Sequence, residues 1–210
     1  MNILYEDNHL IAVEKKAGQL TQGDSTGDPS LFSEVKAFIK ERDQKPGNVF
    51  LGLLHRLDRP VGGVVLFAKT SKAASRISEQ IRERTVEKFY EALVEGRPPK
   101  SGHVRQWLKK NHQRNIVQAF DHPVRDALPA ELFFRTIEAG EISRVEIQPI
   151  TGRPHQIRVA MASLGTPIVG DKKYGAKQNY RGQIALRATA IAFNHPISKR
   201  RKVVTMEVSL

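Results

Sequence analysis

Apolar residues recur along this chain with two periods, and the switches between them mark its elements. Asn2–Tyr5 and Leu10–Lys15 read as short strands around the turn Glu6-Asp7-Asn8. Gln19–Pro29, rich in Gly, Ser, Thr and Asp, reads as a loop. Ser30 then opens a helix in which Leu31, Phe32, Val35, Phe38 and Ile39 recur at helical spacing, ending before Pro46-Gly47. Gly62–Lys69 predicts a strand. Thr70 or Ser71 caps the next helix, with Ala74, Ile77 and Ile81 on one face and Arg76, Arg82 and Arg84 on the other. Glu87–Glu95 is a strand with Tyr90, Ala92 and Val94 on one face and Phe89 and Leu93 on the other.

Further along, strands around Leu132–Ile137 and Ser143–Pro149 flank a turn at Ala139-Gly140. Pro154 stands where a helix can begin, and Gln156–Leu164 carries helical periodicity until Gly165 stops it. Ile184–Phe193 and Val203–Val208 close the chain as strands. Strands outnumber helices and the connections are mostly hairpin-like. The pattern therefore predicts an α+β fold with a mixed, largely antiparallel central sheet, flanked by helices and loops, in one domain spanning residues 1–210. No internal repeat or low-complexity segment interrupts it.

Composition narrows the chemistry. The chain has 210 residues, of which 40% are hydrophobic and 27% charged, ordinary values for a globular protein. It has no cysteine, which removes disulfides, thiolate nucleophiles and Cys-ligated zinc or iron–sulfur sites. The longest apolar run, Val64–Ala68, is far too short to span a membrane. MNILYEDNHL lacks the basic and apolar regions of a signal peptide, so a cytoplasmic protein is expected. With 34 Lys and Arg against 22 Asp and Glu, the net charge is +12. Such an excess suits a polyanionic partner, because each neutralised phosphate releases counterions. Charge favours a nucleic acid over the alternative of a basic surface kept for solubility, but does not separate RNA from DNA.

Gly96–Leu128 is the least regular stretch. Lys100, Arg105, Lys109, Lys110, Arg114 and Arg125 surround Trp107, the only tryptophan. Basic residues interleaved with an aromatic suit backbone contact and stacking on unpaired bases. An exposed loop with Trp107 packed down fits the pattern as well.

Three segments are unlike packing sequence. In Leu54-His55-Arg56-Leu57-Asp58-Arg59 a carboxylate is set among arginines, which would hold Asp58 ionised; taken alone, a surface salt-bridge cluster explains it. Thr151-Gly152-Arg153-Pro154-His155-Gln156-Ile157-Arg158 runs from a strand end into a helix, with His155 and Arg158 on one face of the first turn. Polar groups there can meet an anion, although His155 by itself reads as a cap or a satisfied hydrogen bonder. In Lys88-Phe89-Tyr90, the tyrosine by itself reads as core.

Taken together, these segments resemble the RluA-type family of pseudouridine synthases. The resemblance begins at Ile3–Val13 and passes through HRLDR (55–59), Ala68-Lys69, Lys88-x-Tyr90 and TGRPHQIR (151–158). It continues with Gly165–Asp171 and Tyr174-Gly175, then Leu186-x-Ala188 and Phe193-x-His195-Pro196. It implies the pseudouridine synthase fold and the isomerisation of uridines in rRNA or tRNA. On that resemblance Asp58 is the catalytic aspartate, acting at ribose C1′ or on the neighbouring sugar proton, and Arg158 pairs with it. Tyr90 lies against the target base, and Arg56 takes the place of the flipped nucleotide. With Arg56, the residues expected to contact RNA are Arg59, Lys88, Arg153 and His155. The reaction breaks the N1–C1′ bond and joins C5 to C1′, so no metal, ATP or redox cofactor is expected. RNA is the expected partner; no membrane or obligate protein partner is expected, and a monomer is the default.

The chain departs from the family's pattern in two places. Val61-Gly62-Gly63 stands where Thr-Ser-Gly is common, and Lys16 where the Lys-Pro-Ala-Gly turn has proline. The chain also starts directly on the first strand of the catalytic domain, so RNA binding is expected from that domain's own basic surface. Two other readings remain: a non-catalytic RNA-binding relative, and a metal-dependent nuclease using Asp58, Asp171 and a histidine. The second lacks the carboxylate cluster that a two-metal site needs.

Overall fold

The computed structural model describes residues 1–44, 46–111 and 113–207, which fall into two compact units. The first comprises Met1–Val86 with Thr189–Glu207, and the second Glu87–Ala188.

In the first unit, β1 (Ile3–Glu6), β2 (Leu10–Lys15), β3 (Gly52–Leu53) and β4 (Gly62–Ala68) are joined by α1 (Leu31–Arg42) and followed by α2 (Ser71–Arg82). The strand order is β1-β2-β4-β10, where β10 (Leu186–Asn194) enters from the second unit's part of the chain; β3 adds to β4, and β11 (Arg201–Thr205) to β10. The ladders β1/β2, β2/β4, β3/β4 and β10/β11 are all antiparallel. Every residue of β4 is buried, which accounts for its unbroken run of Val, Leu and Phe. Val64, Leu66 and Ala68 pack with Leu10 and Ala12 of β2 and with Ala73 and Ile77 of α2. The strand expected over Val203–Val208 is seen over Arg201–Thr205, and Val208 lies outside the described residues.

Both helices start on the expected side-chain caps. Thr70 accepts from the Ala73 amide, and Ser30 forms a capping box with Ser33, each hydroxyl bonding the other residue's backbone amide. Ser30 is buried, and α1 buries just three of its own residues, Leu31, Val35 and Ile39, so the cap matters. Ser30→Ala is expected to lower stability by about 1 kcal/mol in urea unfolding.

The second unit carries β5 (Glu87–Glu95), β6 (Ser101–Asn111), β7 (Ile116–Phe120), β8 (Leu128–Glu138), β9 (Ile142–Pro149) and α3 (Gln156–Ser163). Their order is β5-β9-β8-β6-β7, with antiparallel ladders throughout. The stretch read from sequence as irregular, Gly96–Leu128, is in fact mostly the hairpin β6/β7. Its alternation is real: Ser101, His103 and Arg105 are exposed while Gly102, Val104 and Gln106 are half-buried. Cationic side chains on the exposed positions, and glycine and glutamine on the others, hide that period from a hydrophobicity reading.

Helix α3 lies against β6, β7 and β9 and is buried from Gln156 to Met161. Leu108, Val117, Ala130 and Val159 form one core cluster beneath it. Gly102, opposite Phe134, leaves room for that ring, since a Cβ on it would lie 2.4 Å from a ring carbon. Among the described residues, three α-helices and eleven strands make the fold α+β and largely antiparallel, as the sequence pattern predicted. No helix among the described residues is long and apolar enough to cross a membrane.

Candidate active site

Asp58 sits in a loop that backbone and buried side chains hold from several directions. The Val61 amide donates to the Asp58 carbonyl at 2.9 Å, closing a turn over Arg59-Pro60. One residue earlier, the buried Thr21 hydroxyl accepts from the Leu57 amide (3.2 Å) and donates to the Leu57 carbonyl (2.9 Å). One residue later, the Arg59 carbonyl accepts from the Gly18 amide at 2.8 Å and from the Lys15 ammonium at 3.1 Å. Asp58 itself is half-buried and Arg56 exposed. The Arg59 guanidinium reaches the Gly18 carbonyl (3.1 Å) and Asp28 (2.7 Å), so it braces the loop Gln19–Pro29.

Lys15 is the unexpected member of this group. It closes β2, is fully buried, and donates to three carbonyls, those of Gln19 (2.6 Å), Lys16 (3.1 Å) and Arg59. Burial pushes its ammonium down from 10.5 to about 8, against the pull of the Asp58 carboxylate. Between those two values the unfolded chain holds the proton more tightly than the folded one. Stability from this residue therefore rises as pH increases from 8 to 10.5 and is flat below 8. Relative to Lys15→Met, the native chain should gain up to about 3 kcal/mol across that window, measured by urea unfolding at a series of pH values.

The ends of the first unit meet at Asp7. Its carboxylate accepts from Tyr5, from the His9 and Leu10 amides, and pairs with His195 Nε2 at 2.7 Å. The His195 Nδ1 accepts from the Ile197 and Ser198 amides, which fixes the tautomer that donates to Asp7. Two blocks of the motif pattern, Ile3–Val13 and Phe193–Pro196, are thus one hydrogen-bonded unit.

In the second unit, the turn before α3 is organised by buried Gln156. Its Oε1 accepts from the Thr151 hydroxyl (2.7 Å) and the Arg153 amide (3.0 Å), and its Nε2 donates to the Glu131 carbonyl (2.9 Å). Arg153 reaches the Pro129 carbonyl at 3.0 Å. His155 takes a left-handed backbone (φ 53°) at the N-cap but makes no side-chain capping bond, so of the two roles read from sequence, cap or satisfied hydrogen bonder, it plays the second. Its Nδ1 meets the Tyr174 hydroxyl at 2.7 Å, and that hydroxyl accepts from the Val117 amide.

Arg158, one turn on, donates from Nε and a terminal nitrogen to both oxygens of Asp171, at 2.6 and 2.8 Å, with both residues buried. The Tyr174 ring lies 5.1 Å under the guanidinium and edge-on to His155. The shared face of His155 and Arg158 expected from their spacing is therefore real, and Tyr174 occupies it. Lys88 and Tyr90 lie half-buried on β5, where Tyr90 is opposite Ile147. Burial lowers the Lys88 ammonium, whose nitrogen faces Gly152 of the same turn, 3.8 Å from where a Cβ would stand.

Sequence reasoning missed Thr21, Lys15, Gln156 and the Asp171–Tyr174 pair as site-building residues. Asp171 and Tyr174 stood in quoted motif blocks, but nothing in their spacing points to Arg158. With both oxygens engaged by a guanidinium, Asp171 is also poorly placed to serve a metal, which weakens the nuclease reading.

Residues 9–163 match the family described as RNA pseudouridylate synthase, and the chain belongs to that family. It is 36% identical over 208 residues to the ribosomal large subunit pseudouridine synthase C of Vibrio cholerae serotype O1, covering 95% of this chain and 63% of that one. To the protein of the same name in Escherichia coli K12 it is 34% identical over 207 residues, 92% of this chain and 62% of the relative. The chain thus spans a little under two thirds of the length of these curated relatives. Among solved structures, human RNA pseudouridylate synthase domain containing 4 has the same fold, with a TM-score of 0.82 over 99% of this chain and 88% of that one at 23% identity.

Proposed function

We propose that this chain isomerises uridine in RNA to pseudouridine, with Asp58 as the carboxylate that acts at the ribose of a flipped nucleotide. The observation that carries the reading is the Asp58 loop. Chain on both sides of the aspartate is tied to buried donors and acceptors, Thr21 and Lys15, and a catalytic group gains from such positioning. The chemistry asks for a carboxylate at the anomeric carbon, as glycoside chemistry does. The N1–C1′ bond breaks, C5 joins C1′, the C5 proton leaves and N1 takes one up, so the product is an isomer. Tyr90 supplies a ring for the extruded base and Arg158 a guanidinium with further donors beyond the two on Asp171. Arg56, Arg59, Lys88, Arg153 and His155 are assigned to the RNA around it.

Ribosomal RNA of the large subunit is the first substrate class to try, because the curated relatives at 34 to 37% identity carry that name. The same reading places the protein in the cytoplasm and acting as a monomer. Incubation with unmodified rRNA and tRNA transcripts, without added metal, followed by carbodiimide labelling and primer extension, tests it. New pseudouridine stops in full-length RNA are expected. RNA cut in a magnesium-dependent way would replace the reading with a nuclease, and binding without modification would leave an RNA-binding relative.

A further inference from the structure

We propose that the outer face of β6 and β8 is a second RNA-contact surface, one that stacks unpaired bases. The proposal rests on the reading that the substrate is RNA. His103 of β6 and Phe133 of β8 are directly opposite each other and lie ring on ring, with centroids 4.2 Å apart and planes 17° from parallel. Phe133 is 43% exposed, an unusual place for a phenylalanine in a sheet. On the same face Ser101 is paired with Arg135 and Arg105 with Glu131, and both arginine side chains are about 70% exposed. Trp107 continues the row, four residues beyond His103 and so about 13 Å along the strand, where it faces Phe120 of β7. The face thus offers two aromatic stations with an arginine between them.

Two carboxylates share this surface. Glu131 accepts from His103 Nε2 at 2.7 Å and from Arg105 at 3.3 Å, and Glu146 accepts from Arg135 at 2.7 Å. They hold the imidazole and guanidinium groups in place, but each cancels one charge locally. With Glu146 counted, the stretch 97–135 and this carboxylate still set eight Lys and Arg against four acids, four of the twelve excess positive charges of the chain. That surplus selects a polyanion over a protein. So do the residues directly opposite Phe133, His103 on β6 and Gln148 on β9, since the buried centre of a protein interface is built from apolar neighbours. Rings on an open sheet face beside arginines give base stacking with phosphate contact, and the stacking tolerates any base.

Binding of a short oligouridylate to the full chain, followed by anisotropy, tests the surface. Phe133→Leu keeps an apolar side chain but removes the ring, and affinity should fall about tenfold, the loss of one stacked base. Phe133→Trp should retain it. Because Trp107 is the only tryptophan, its fluorescence should quench with oligouridylate and stay unchanged with inorganic polyphosphate, which has charge but no bases. Native affinity in Phe133→Leu, or equal quenching by polyphosphate, overturns the proposal. A change in oligomeric state in Phe133→Leu with RNA affinity unchanged overturns it in favour of a protein contact. Pseudouridine formation by the same variant separates the two readings: kcat should hold while KM for a long transcript rises. If the native chain makes no pseudouridine while the Phe133→Leu binding loss persists, the catalytic reading falls and the surface stands.

Discussion

Replacing Asp58 with asparagine should abolish pseudouridine formation, by at least about a thousandfold in kcat, while RNA affinity stays within a few fold. The substitution is close in volume and removes only the charge and the nucleophilic or basic oxygen. The loop that carries it depends on its neighbours' backbone, through Thr21 on Leu57 and through Gly18 and Lys15 on the Arg59 carbonyl, so it should keep its shape. Single-turnover modification of a transcript, beside a binding isotherm for the same RNA, reads both quantities. A variant that modifies RNA at the native rate would remove Asp58 from the chemistry. One that loses binding as well would point to a broken loop, which the thermal midpoint would reveal.

The largest effect on stability should come from Asp171→Asn. Arg158 and Asp171 form a bidentate pair with almost no exposure on either side chain, 6% and 1%. Removing the carboxylate charge breaks a buried bidentate ion pair, which costs about 3–5 kcal/mol in comparable cases. That is a large fraction of the roughly 5–15 kcal/mol by which folded domains are stable. The Tyr174 ring beneath Arg158 and its link to His155 should be disturbed with it. Urea unfolding of the two proteins gives the difference. A loss below about 1 kcal/mol would mean that water or another anion replaces Asp171 easily, contrary to a dry pair.

How legible these features were in the sequence depended on the kind of residue that made them. β2 and β5 were read with their observed ends because each is a short apolar-rich run bounded by charged residues and turns. The capping roles of Ser30 and Thr70 were read for the same reason, since a hydroxyl before an apolar periodic run has few other uses. β6 was missed because Arg105, Lys109 and Lys110 dominate it, and a hydrophobicity pattern cannot see a strand whose exposed positions are the conspicuous ones. Asp58, Tyr90 and Arg158 stand out as candidates only as a set, through the order of motifs, and their supports do not stand out at all. Lysine is the residue least expected in a core, so nothing in Glu14-Lys15-Lys16 marks the first lysine as buried and the second as exposed. Likewise the partnership of Arg158 with Asp171 depends on how the chain returns after α3, which no local period encodes.

The gap that Gly102 leaves for the Phe134 ring bears on how this sequence can drift. A side chain at 102 and a ring at 134 compete for one volume, because a Cβ at 102 would fall well inside contact distance of that ring. Across a set of related sequences the two positions should therefore change together: bulk appearing at 102 should accompany a smaller residue at 134. A single step to alanine at 102 should be rare without its companion, and in the laboratory a Phe134→Leu change should rescue Gly102→Ala.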